Sequence, residues 1–297
     1  MRSRIHPGVV AGMVGAVVLL SVVILRRPGD LLGGTSCVQP PEPVYGEPLF
    51  RRSIEVANDD ESVSLQNTLR DERNKLSKDL NEMKQKLGRM DCEKEESKTN
   101  SAGGWCKKAS SEDGGEHMTD MPLIKKLTTF LKGKKVGSFG DGPGAYKREL
   151  LKLGDVSSYD AYDGAPYCEE TSEGRVRFMD LTVPQYGIPM YDWIISLEVA
   201  EHIPKSYEPV YIDNIVRHSR EGIIISWARP GQGGLAHINN RPLSYVVSLM
   251  EHHGFGHDKN ASNTLQMASS FGWLRDNLNV FRREKEHNLK LFEQWYT

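Results

Sequence analysis

The chain of 297 residues lacks the features of several common protein classes. Its four cysteines include no CxxC pair, which argues against a zinc ribbon, and they are too scattered for a disulfide scaffold, so the redox compartment stays open. The formal net charge is only −2, so there is no global basic field and no nucleic-acid partner is expected. The remaining composition, 26% charged and 38% hydrophobic, is typical of a globular domain with polar extensions.

A long hydrophobic run lies near the N-terminus, at Gly8 to Leu25. It contains no charged residue, and arginines flank it on both sides. As a helix it would extend roughly 27 Å, close to the ~30 Å hydrocarbon core of a bilayer. The run therefore predicts an uncleaved transmembrane helix at 8–25, preceded by a short tail at 1–7. A cleaved signal peptide is the alternative, but its apolar region is usually shorter and ends in small residues rather than Arg-Arg-Pro.

The orientation of this anchor is weakly determined. The positive-inside rule needs a difference in Lys and Arg between the two flanks, and here arginines flank the run on both sides. A tail as short as 1–7 is typical of signal anchors that place the C-terminal part of the chain in the lumen. Asn260-Ala261-Ser262 is a glycosylation acceptor that would be used only there. We therefore expect a single-pass membrane protein of the endoplasmic reticulum or Golgi, with the C-terminal domain in the lumen. The short span suits the thinner membranes of that pathway.

The segment after the anchor has the pattern of a spacer followed by a helical stalk. Residues 26–60 contain a stretch rich in proline and charge, which predicts the spacer. Residues 61–92 predict a helix with a seven-residue hydrophobic repeat, formed by Leu69, Leu76, Leu80, Met83, Leu87 and Met90. This a/d pattern is typical of a coiled coil, so the alternatives are a weak homodimer and a single solvated helix.

Two further features follow the stalk. Cys92 lies just after the seven-residue repeat, where it would cross-link two stalks in an oxidising lumen. Residues 93–118 are rich in Lys, Glu, Ser and Gly, and this composition predicts a flexible linker. Trp105 and Cys106 interrupt the linker, and the sequence offers no explanation for them.

Strand and helix patterns alternate in the rest of the chain, 119–297. Short apolar runs predict strands at 135–139, 156–162, 176–179, 193–197, 222–227 and 279–282. Helical spacing of apolar residues predicts helices at 121–131, 145–153, 207–218 and 242–253. Alternation of this kind predicts an α/β fold with a doubly wound, mostly parallel sheet.

A glycine-rich loop follows the first predicted strand and contains Gly140, Gly142 and Gly144. Glycine lets the backbone turn sharply and approach a ligand closely, and the first amides of the next helix face that ligand. The loop also matches the dinucleotide fingerprint, with Ala145 at its end and Asp160 at the position of the ribose-binding acid. A nicotinamide-dependent oxidoreductase is therefore an alternative at this point.

Residues 135–283 resemble the class I S-adenosylmethionine-dependent methyltransferases. Phe139–Gly144 resembles their first motif, Tyr159–Ala165 the end of their second strand, and Tyr191–Ile203 their fourth strand and the loop after it, which nicotinamide enzymes lack. The resemblance implies a Rossmann-like sheet and S-adenosylmethionine as cofactor. The cofactor-binding residues that it implies are Gly140, Asp141, Gly142, Gly144, Asp160, Asp163, Asp180, Leu181 and Glu198.

The resemblance also assigns roles within this set. Asp163 is the first choice for the acid that receives the ribose hydroxyls, and Asp160 is the second; the segment with Asp180 corresponds to the one that meets the adenine amino group. The family usually has an acid two residues before the first glycine, where this sequence has Ser138, and Asp141 is the candidate substitute. This departure keeps a catalytically inactive, tethered cofactor-binding module as a third alternative.

Glu198, Glu201 and His202 share one face of a helical turn after the fourth predicted strand. They are a candidate site for Mg²⁺ or another divalent cation, and similar Glu-x-x-Glu-His runs bind a metal in ubiquinone-pathway and small-RNA O-methyltransferases. An ordinary helix start is the alternative. His237, in the glycine-rich loop after the fifth strand, is a candidate base or further ligand, which makes Glu201, His202 and His237 the catalytic candidates.

Methyl transfer to a hydroxyl requires removal of a proton, by a base or with the help of a metal. The candidate cluster therefore predicts O-methylation. The acceptor class stays open between a small molecule, a glycan and a lipid.

Overall fold

A computed structural model of the protein describes residues 59–95, 98–112 and 115–284. These residues lie in a single structural unit. Among them, no helix combines the length and the hydrophobicity needed to cross a bilayer. The predicted tail at 1–7, the predicted transmembrane helix at 8–25 and nearly all of the predicted spacer lie outside the described residues.

Seven strands form one mixed sheet in the spatial order β3-β2-β1-β4-β5-β7-β6. Along the chain they are β1 (Lys135–Phe139), β2 (Ser158–Asp163), β3 (Arg177–Phe178), β4 (Tyr191–Ser196), β5 (Ser219–Ser226), β6 (Phe255–His257) and β7 (Leu278–Arg283). Strands β3, β2, β1, β4 and β5 are parallel to one another, whereas β7 runs antiparallel to both β5 and β6. The predicted α/β fold with a mostly parallel sheet is confirmed.

Helices cover both faces of this sheet. In chain order they are α1 (Asp59–Glu95), α2 (Met121–Phe130), α3 (Ala145–Leu153), α4 (Cys168–Thr171), α5 (Glu208–Arg217), α6 (Leu243–His252), α7 (Lys259–Ala268) and α8 (Gly272–Asn277). Neighbouring residues of β5 belong to different buried clusters: Ile224 packs with Leu123 of α2, and Ile225 with Ile212 of α5. Because both faces are buried, the central strands are continuous apolar runs rather than alternating ones.

The segment predicted as a stalk is a single long helix, α1, that lies against the domain through its polar residues. Lys84 pairs with Asp180 (3.1 Å), and Asn81 accepts a hydrogen bond from the Asp180 amide (2.9 Å). Arg89 donates to the carbonyl oxygen of Pro166 (3.1 Å). Most hydrophobic residues of the repeat take no part in this contact: Leu69, Leu76, Met83, Leu87 and Met90 remain 47–67% exposed, and only Leu80 is half-buried. Hydrogen bonds, rather than the apolar repeat, therefore hold α1 on its own domain.

The described parts of the segment expected to be a flexible linker, 93–95, 98–112 and 115–118, are instead held against the domain. Cys92, at the end of α1, forms a disulfide with Cys106 of the same chain, which excludes the expected cross-link between two stalks in this state. Gly103 packs so closely on the backbone of His202 that a Cβ there would lie 2.2 Å from the carbonyl oxygen. Composition predicted flexibility, but it carries no information about a disulfide or about close glycine packing.

Candidate functional site

A cavity of about 460 Å³ opens where strands β1, β2 and β4 end. This is the edge at which α/β sheets bind ligands, and the volume is within the usual range for small-molecule sites, roughly 300–1,000 Å³. Most of the residues predicted from the sequence line it, namely Gly140, Asp141, Gly142, Asp163, Asp180, Leu181, Glu198, His202 and His237. The other three, Gly144, Asp160 and Glu201, do not reach the cavity surface.

The glycine loop has a backbone that other residues rarely adopt. Gly140 and Gly142 have φ angles of 100° and 61°, in the left-handed region that side chains disfavour. A Cβ on Gly140 would lie 2.1 Å from Val199, and one on Gly142 would lie 2.9 Å from Nδ1 of His117. Gly144 does not line the cavity and instead occupies the position just before the first turn of α3. The first two glycines thus keep one wall of the cavity free of side chains.

The two candidate ribose-binding acids point to different surroundings. Asp163 lines the cavity, and its carboxylate accepts hydrogen bonds from the amides of Gly142 (2.8 Å) and Ala165 (2.7 Å). Burial raises the pKa of Asp163, and the two hydrogen bonds oppose this shift. Asp160 instead pairs with Arg177 (3.2 Å) outside the cavity. The structure therefore brings only the first-choice acid to the glycine loop.

Asp141 supplies a carboxylate close to the position where the family resemblance expects one. It is 4% exposed, and its Oδ1 accepts a hydrogen bond from the Tyr159 hydroxyl (2.8 Å). Burial raises the pKa of Asp141 to about 6, against hydrogen bonds from Ser138 and Tyr159. Ser138 also lines the cavity, so the serine and the carboxylate face the same space.

Asp180 and Leu181 line the cavity, and Asp180 also contacts α1. Asp180 Oδ1 accepts hydrogen bonds from the amide (2.8 Å) and hydroxyl (2.6 Å) of Thr182, and Oδ2 pairs with Lys84. The Asp180 carboxylate, which the sequence predicted to contact the adenine, is therefore also paired with Lys84 of α1. The sequence did not indicate this pairing.

Glu201, His202 and His237 come together beside the cavity, with one potential ligand atom of each within 4.8 Å of the others. This differs from the predicted set of Glu198, Glu201 and His202. Glu198 is turned toward Ser226, whose hydroxyl donates to its Oε1 (2.6 Å). The loop after β5 brings in His237 instead, as the further ligand that the sequence had suggested.

Glu201 is the most unusual member of this cluster. It is fully buried, and neither carboxylate oxygen has a hydrogen-bond partner among the described residues. Burial, and then the charge of Glu198, raise the pKa of Glu201 well above its usual range; the amides of Glu201 and Ala228 act in the opposite direction without reaching hydrogen-bond geometry. A buried carboxylate without a partner is costly, and a bound cation would remove that cost.

The two imidazoles lie near this carboxylate, and one nitrogen of each ring is close to a backbone carbonyl oxygen. Nδ1 of His202 lies 3.2 Å from the carbonyl oxygen of Ala236, and Nδ1 of His237 lies 3.3 Å from that of Gln232. If each Nδ1 donates to its carbonyl, each Nε2 keeps a lone pair for a metal or a proton, as in known metal sites. Burial lowers the pKa of His202 to about 4, so this ring is neutral at physiological pH.

Backbone strain accompanies the cluster. Glu198 and Ala236 have φ angles of 57° and 55°, and they are two of three non-glycine residues with positive φ in the described part of the chain. One begins the loop with Glu201 and His202, and the other directly precedes His237. Such conformations cost about 1–3 kcal/mol each and concentrate at functional sites.

The sequence missed one wall of the cavity. Trp105 meets the ring of His202 edge-on, with ring centroids 5.9 Å apart, and His117 lies over Gly142. Phe271 and Trp273 stack on each other at 4.7 Å and also line the cavity. The available signal was the Trp-Cys pair in an otherwise polar segment, since the Cys106 disulfide fixes the loop that carries Trp105.

No protein-family model and no curated protein matches the sequence. Solved structures with a similar fold include the N-methyltransferase NodS from Bradyrhizobium japonicum WM9 in complex with S-adenosylhomocysteine, at 14% identity and a TM-score of 0.44 over 60% of this chain and 95% of that one. Magnesium protoporphyrin IX methyltransferase from Synechocystis PCC 6803 with bound S-adenosylmethionine is also 14% identical, with a TM-score of 0.40 over 57% and 85%. The methyltransferase domain of bacterial CtHen1 is 16% identical, with a TM-score of 0.41 over 55% and 97%.

At these identities and TM-scores, none of the three structures assigns a family or an activity to this chain. The sheet order β3-β2-β1-β4-β5-β7-β6, with an antiparallel β7, makes the fold a Rossmann-like α/β fold with a mixed sheet.

Proposed function

We propose that the protein is an S-adenosylmethionine-dependent methyltransferase that methylates a hydroxyl group. The observation that carries this proposal is a single cavity lined by the glycine turn at 140–142, by Asp163 and by the edge of the Glu201–His202–His237 cluster. The first two features suit a nucleoside cofactor with an amino-acid end. The third suits the removal of a proton from the acceptor.

The cofactor fits the residues of the cavity in three places. The side-chain-free turn at Gly140 and Gly142 leaves room for the methionine part, and the Asp141 carboxylate offers an opposite charge to its ammonium group. Asp163 keeps free lone pairs on both oxygens beyond its two backbone hydrogen bonds, and a carboxylate can accept both ribose hydroxyls. S-Adenosylmethionine, when bound, supplies an activated methyl group, and alignment of the acceptor is the main task left to the protein.

The carboxylate and two imidazoles of the cluster are suitable ligands for Mg²⁺ or a similar divalent cation. Such an ion lowers the pKa of a coordinated hydroxyl. Without a metal, neutral His202 is the alternative base, because its lowered pKa leaves the ring unprotonated. Glu198 stays close enough to influence Glu201 but is held by Ser226 and Asn277.

We further propose a single-pass anchor at 8–25 in the endoplasmic reticulum or Golgi, with the domain in the lumen. The Cys92–Cys106 disulfide supports this placement, since disulfides persist in oxidising compartments. Acceptors reachable there are small molecules, glycans and the headgroups of lipids.

The nicotinamide alternative has less support than it had from the sequence. Its ribose-binding acid would be Asp160, which pairs with Arg177 away from the cavity. The strand order also differs, because the classic dinucleotide-binding sheet has the order 3-2-1-4-5-6, whereas here the antiparallel β7 lies between β5 and β6.

Transfer of a labelled methyl group tests the proposed function. Full-length protein is incubated with methyl-labelled S-adenosylmethionine and separate lipid, glycan and small-molecule fractions from secretory membranes. We expect label in one fraction, in a base-stable ether, and loss of labelling on chelation of divalent cations. Oxidation of NADH without any labelling would favour the oxidoreductase, and cofactor binding without labelling of any fraction would favour the inactive module.

Cofactor affinity should depend on pH through Asp141. Only the ionised carboxylate attracts the ammonium group, so affinity is full above the pKa of about 6 and falls as pH decreases through it. We expect the dissociation constant to rise about tenfold from pH 7 to pH 5, measured by calorimetry.

Asp141→Asn should bind more weakly at pH 7 and lose this pH dependence, whereas Asp155→Asn, at an exposed site, should behave as wild type. Methylthioadenosine, which lacks the amino-acid end, should show no such dependence with wild-type protein. An unchanged pH profile in Asp141→Asn would contradict this role of Asp141.

A further inference from the structure

Helix α1 has an apolar stripe that its own domain leaves mostly uncovered, with only Leu80 half-buried. The stripe consists of the residues of the seven-residue repeat, Leu69, Leu76, Leu80, Met83, Leu87 and Met90. Leu76 is 67% exposed and Met83 55%. Contiguous hydrophobic surface of this kind usually marks an interaction site.

The contact with the domain uses a different face of the same helix. Ser77 and Asn81 donate hydrogen bonds to Pro184 and Gln185, and Gly88 lies against Pro166. At 100° per residue, the centre of this face is roughly 120° away from the centre of the stripe. A partner helix centred on the stripe would therefore approach α1 more than a right angle away from the centre of the domain contact.

Arg73 explains the gap in the repeat. It occupies the position at which the repeat would place a hydrophobic residue, and its guanidinium stacks on the ring of Tyr186 at 4.4 Å. The side chain thus belongs to the contact with the domain. The repeat is otherwise continuous from Leu76 to Met90.

We infer that the stripe binds the same stripe of a second copy of this chain, so that two α1 helices form a parallel coiled coil with one domain on each outer side. The seven-residue spacing favours a helical partner, because a strict 3.5-residue period keeps a narrow seam against a second, supercoiled helix. A flat surface such as a membrane would select a broader apolar face with a 3.6-residue period.

Charges beside the stripe are complementary between two parallel copies. In the a/d assignment with Leu80 and Leu87 at a, Asp79 faces Lys84 of the second helix, and Lys86 faces Asp91 of the second helix. Lys84 also pairs with Asp180, and Asp91 also accepts a hydrogen bond from Ser101. An ammonium group has three donors and a carboxylate several lone pairs, so both keep capacity for the exposed Asp79 and Lys86 of a partner. Like-charged pairs at these positions would oppose the association.

The test compares two double variants of the full-length protein in detergent micelles. Leu76→Gln/Met83→Gln removes the centre of the stripe, and because both side chains are already more than half exposed, the fold of each copy should be unaffected. Lys78→Gln/Glu82→Gln is the matched control on the exposed side of α1, outside the stripe. Sedimentation velocity over a range of protein concentrations measures the dimer dissociation constant.

We expect wild type and control to dimerise alike, and the stripe variant to dissociate at least about 100-fold more readily, because each dimer loses four large apolar side chains from its seam. Equal dimerisation of the stripe variant and wild type would overturn the inference, and so would a wild-type protein that stays monomeric. Binding of the stripe to protein-free liposomes by a monomeric wild type would also overturn it.

Cysteine cross-linking tests the parallel orientation. In a Cys37→Ser background, Leu69→Cys and Met83→Cys lie roughly 21 Å apart along the helix. In a parallel dimer, each single variant should cross-link to itself. In an antiparallel dimer at most one of them can do so, and that result would contradict the proposed arrangement.

Discussion

Replacement of Gly142 by valine is expected to abolish binding of S-adenosylmethionine while leaving the protein folded. Gly142 has a φ of 61°, and a Cβ there would enter the space between the turn and His117. Its amide also donates to Asp163, so a shift of the turn would displace the acid that we propose for the ribose. We expect a loss of at least about 100-fold in affinity, or about 2.7 kcal/mol, measured by calorimetric titration of the full-length protein.

Gly133→Val is the matched control for this variant. Gly133 also has a positive φ, 72°, but no other atom lies within 4 Å of where its Cβ would be. It should therefore lose stability through backbone strain, about 1–3 kcal/mol, without losing affinity. Combining Gly142→Val with His117→Ala relieves the contact within the protein but not the one with the cofactor, so binding should stay lost. Affinity of Gly142→Val within threefold of wild type would refute the proposed position of the cofactor.

Substitution of Glu201 by glutamine should eliminate turnover and spare cofactor binding. Glutamine keeps the shape of the side chain but removes the negative charge that a divalent cation requires. Since even changes to residues behind metal ligands cost roughly 10–100-fold, we expect a loss of at least about 100-fold in kcat. Metal affinity should also rise with pH in wild type, because binding a cation must displace the proton that burial favours on Glu201.

Thermal unfolding separates this role from a structural one. Mg²⁺ or Mn²⁺ should raise the Tm of wild type and of the exposed control Glu251→Gln, and should not change that of Glu201→Gln. In metal-free buffer the Glu201→Gln protein should be about as stable as wild type, because burial keeps Glu201 protonated and both side chains are then neutral and unpaired. A variant that stays active, together with wild-type activity that resists chelation, would remove the metal from the account.

The apolar pattern predicted the central part of the fold well. Strand β1 has its predicted bounds, and β4 and β5 differ from theirs by one to three residues, because buried parallel strands are continuous apolar runs. The pattern missed α7 and β6, and it did not indicate that β7 is antiparallel. Strand direction depends on the connections between elements, and apolar spacing contains no signal for it.

The site was predictable where one short segment carries the chemistry. The turn at Gly140–Gly142, Asp163 at the end of β2, and the Glu201-His202 pair are each local, and the structure places them together. The structure has His237 rather than Glu198 as the third member of the candidate metal cluster, and this depends on the path of the loop after β5. Trp105 reaches the cavity only because α1 docks on the domain and a disulfide ties the next segment to it. Such long-range constraints have no local pattern.

We propose that the cavity at the end of β1 and β2 holds S-adenosylmethionine. Parallel calorimetric titrations of the full-length protein with S-adenosylhomocysteine and with NADH check this assignment. We predict saturable binding of one S-adenosylhomocysteine per chain, which Gly142→Val removes, and no heat with NADH. Saturable binding of NADH with no response to S-adenosylhomocysteine would contradict the account.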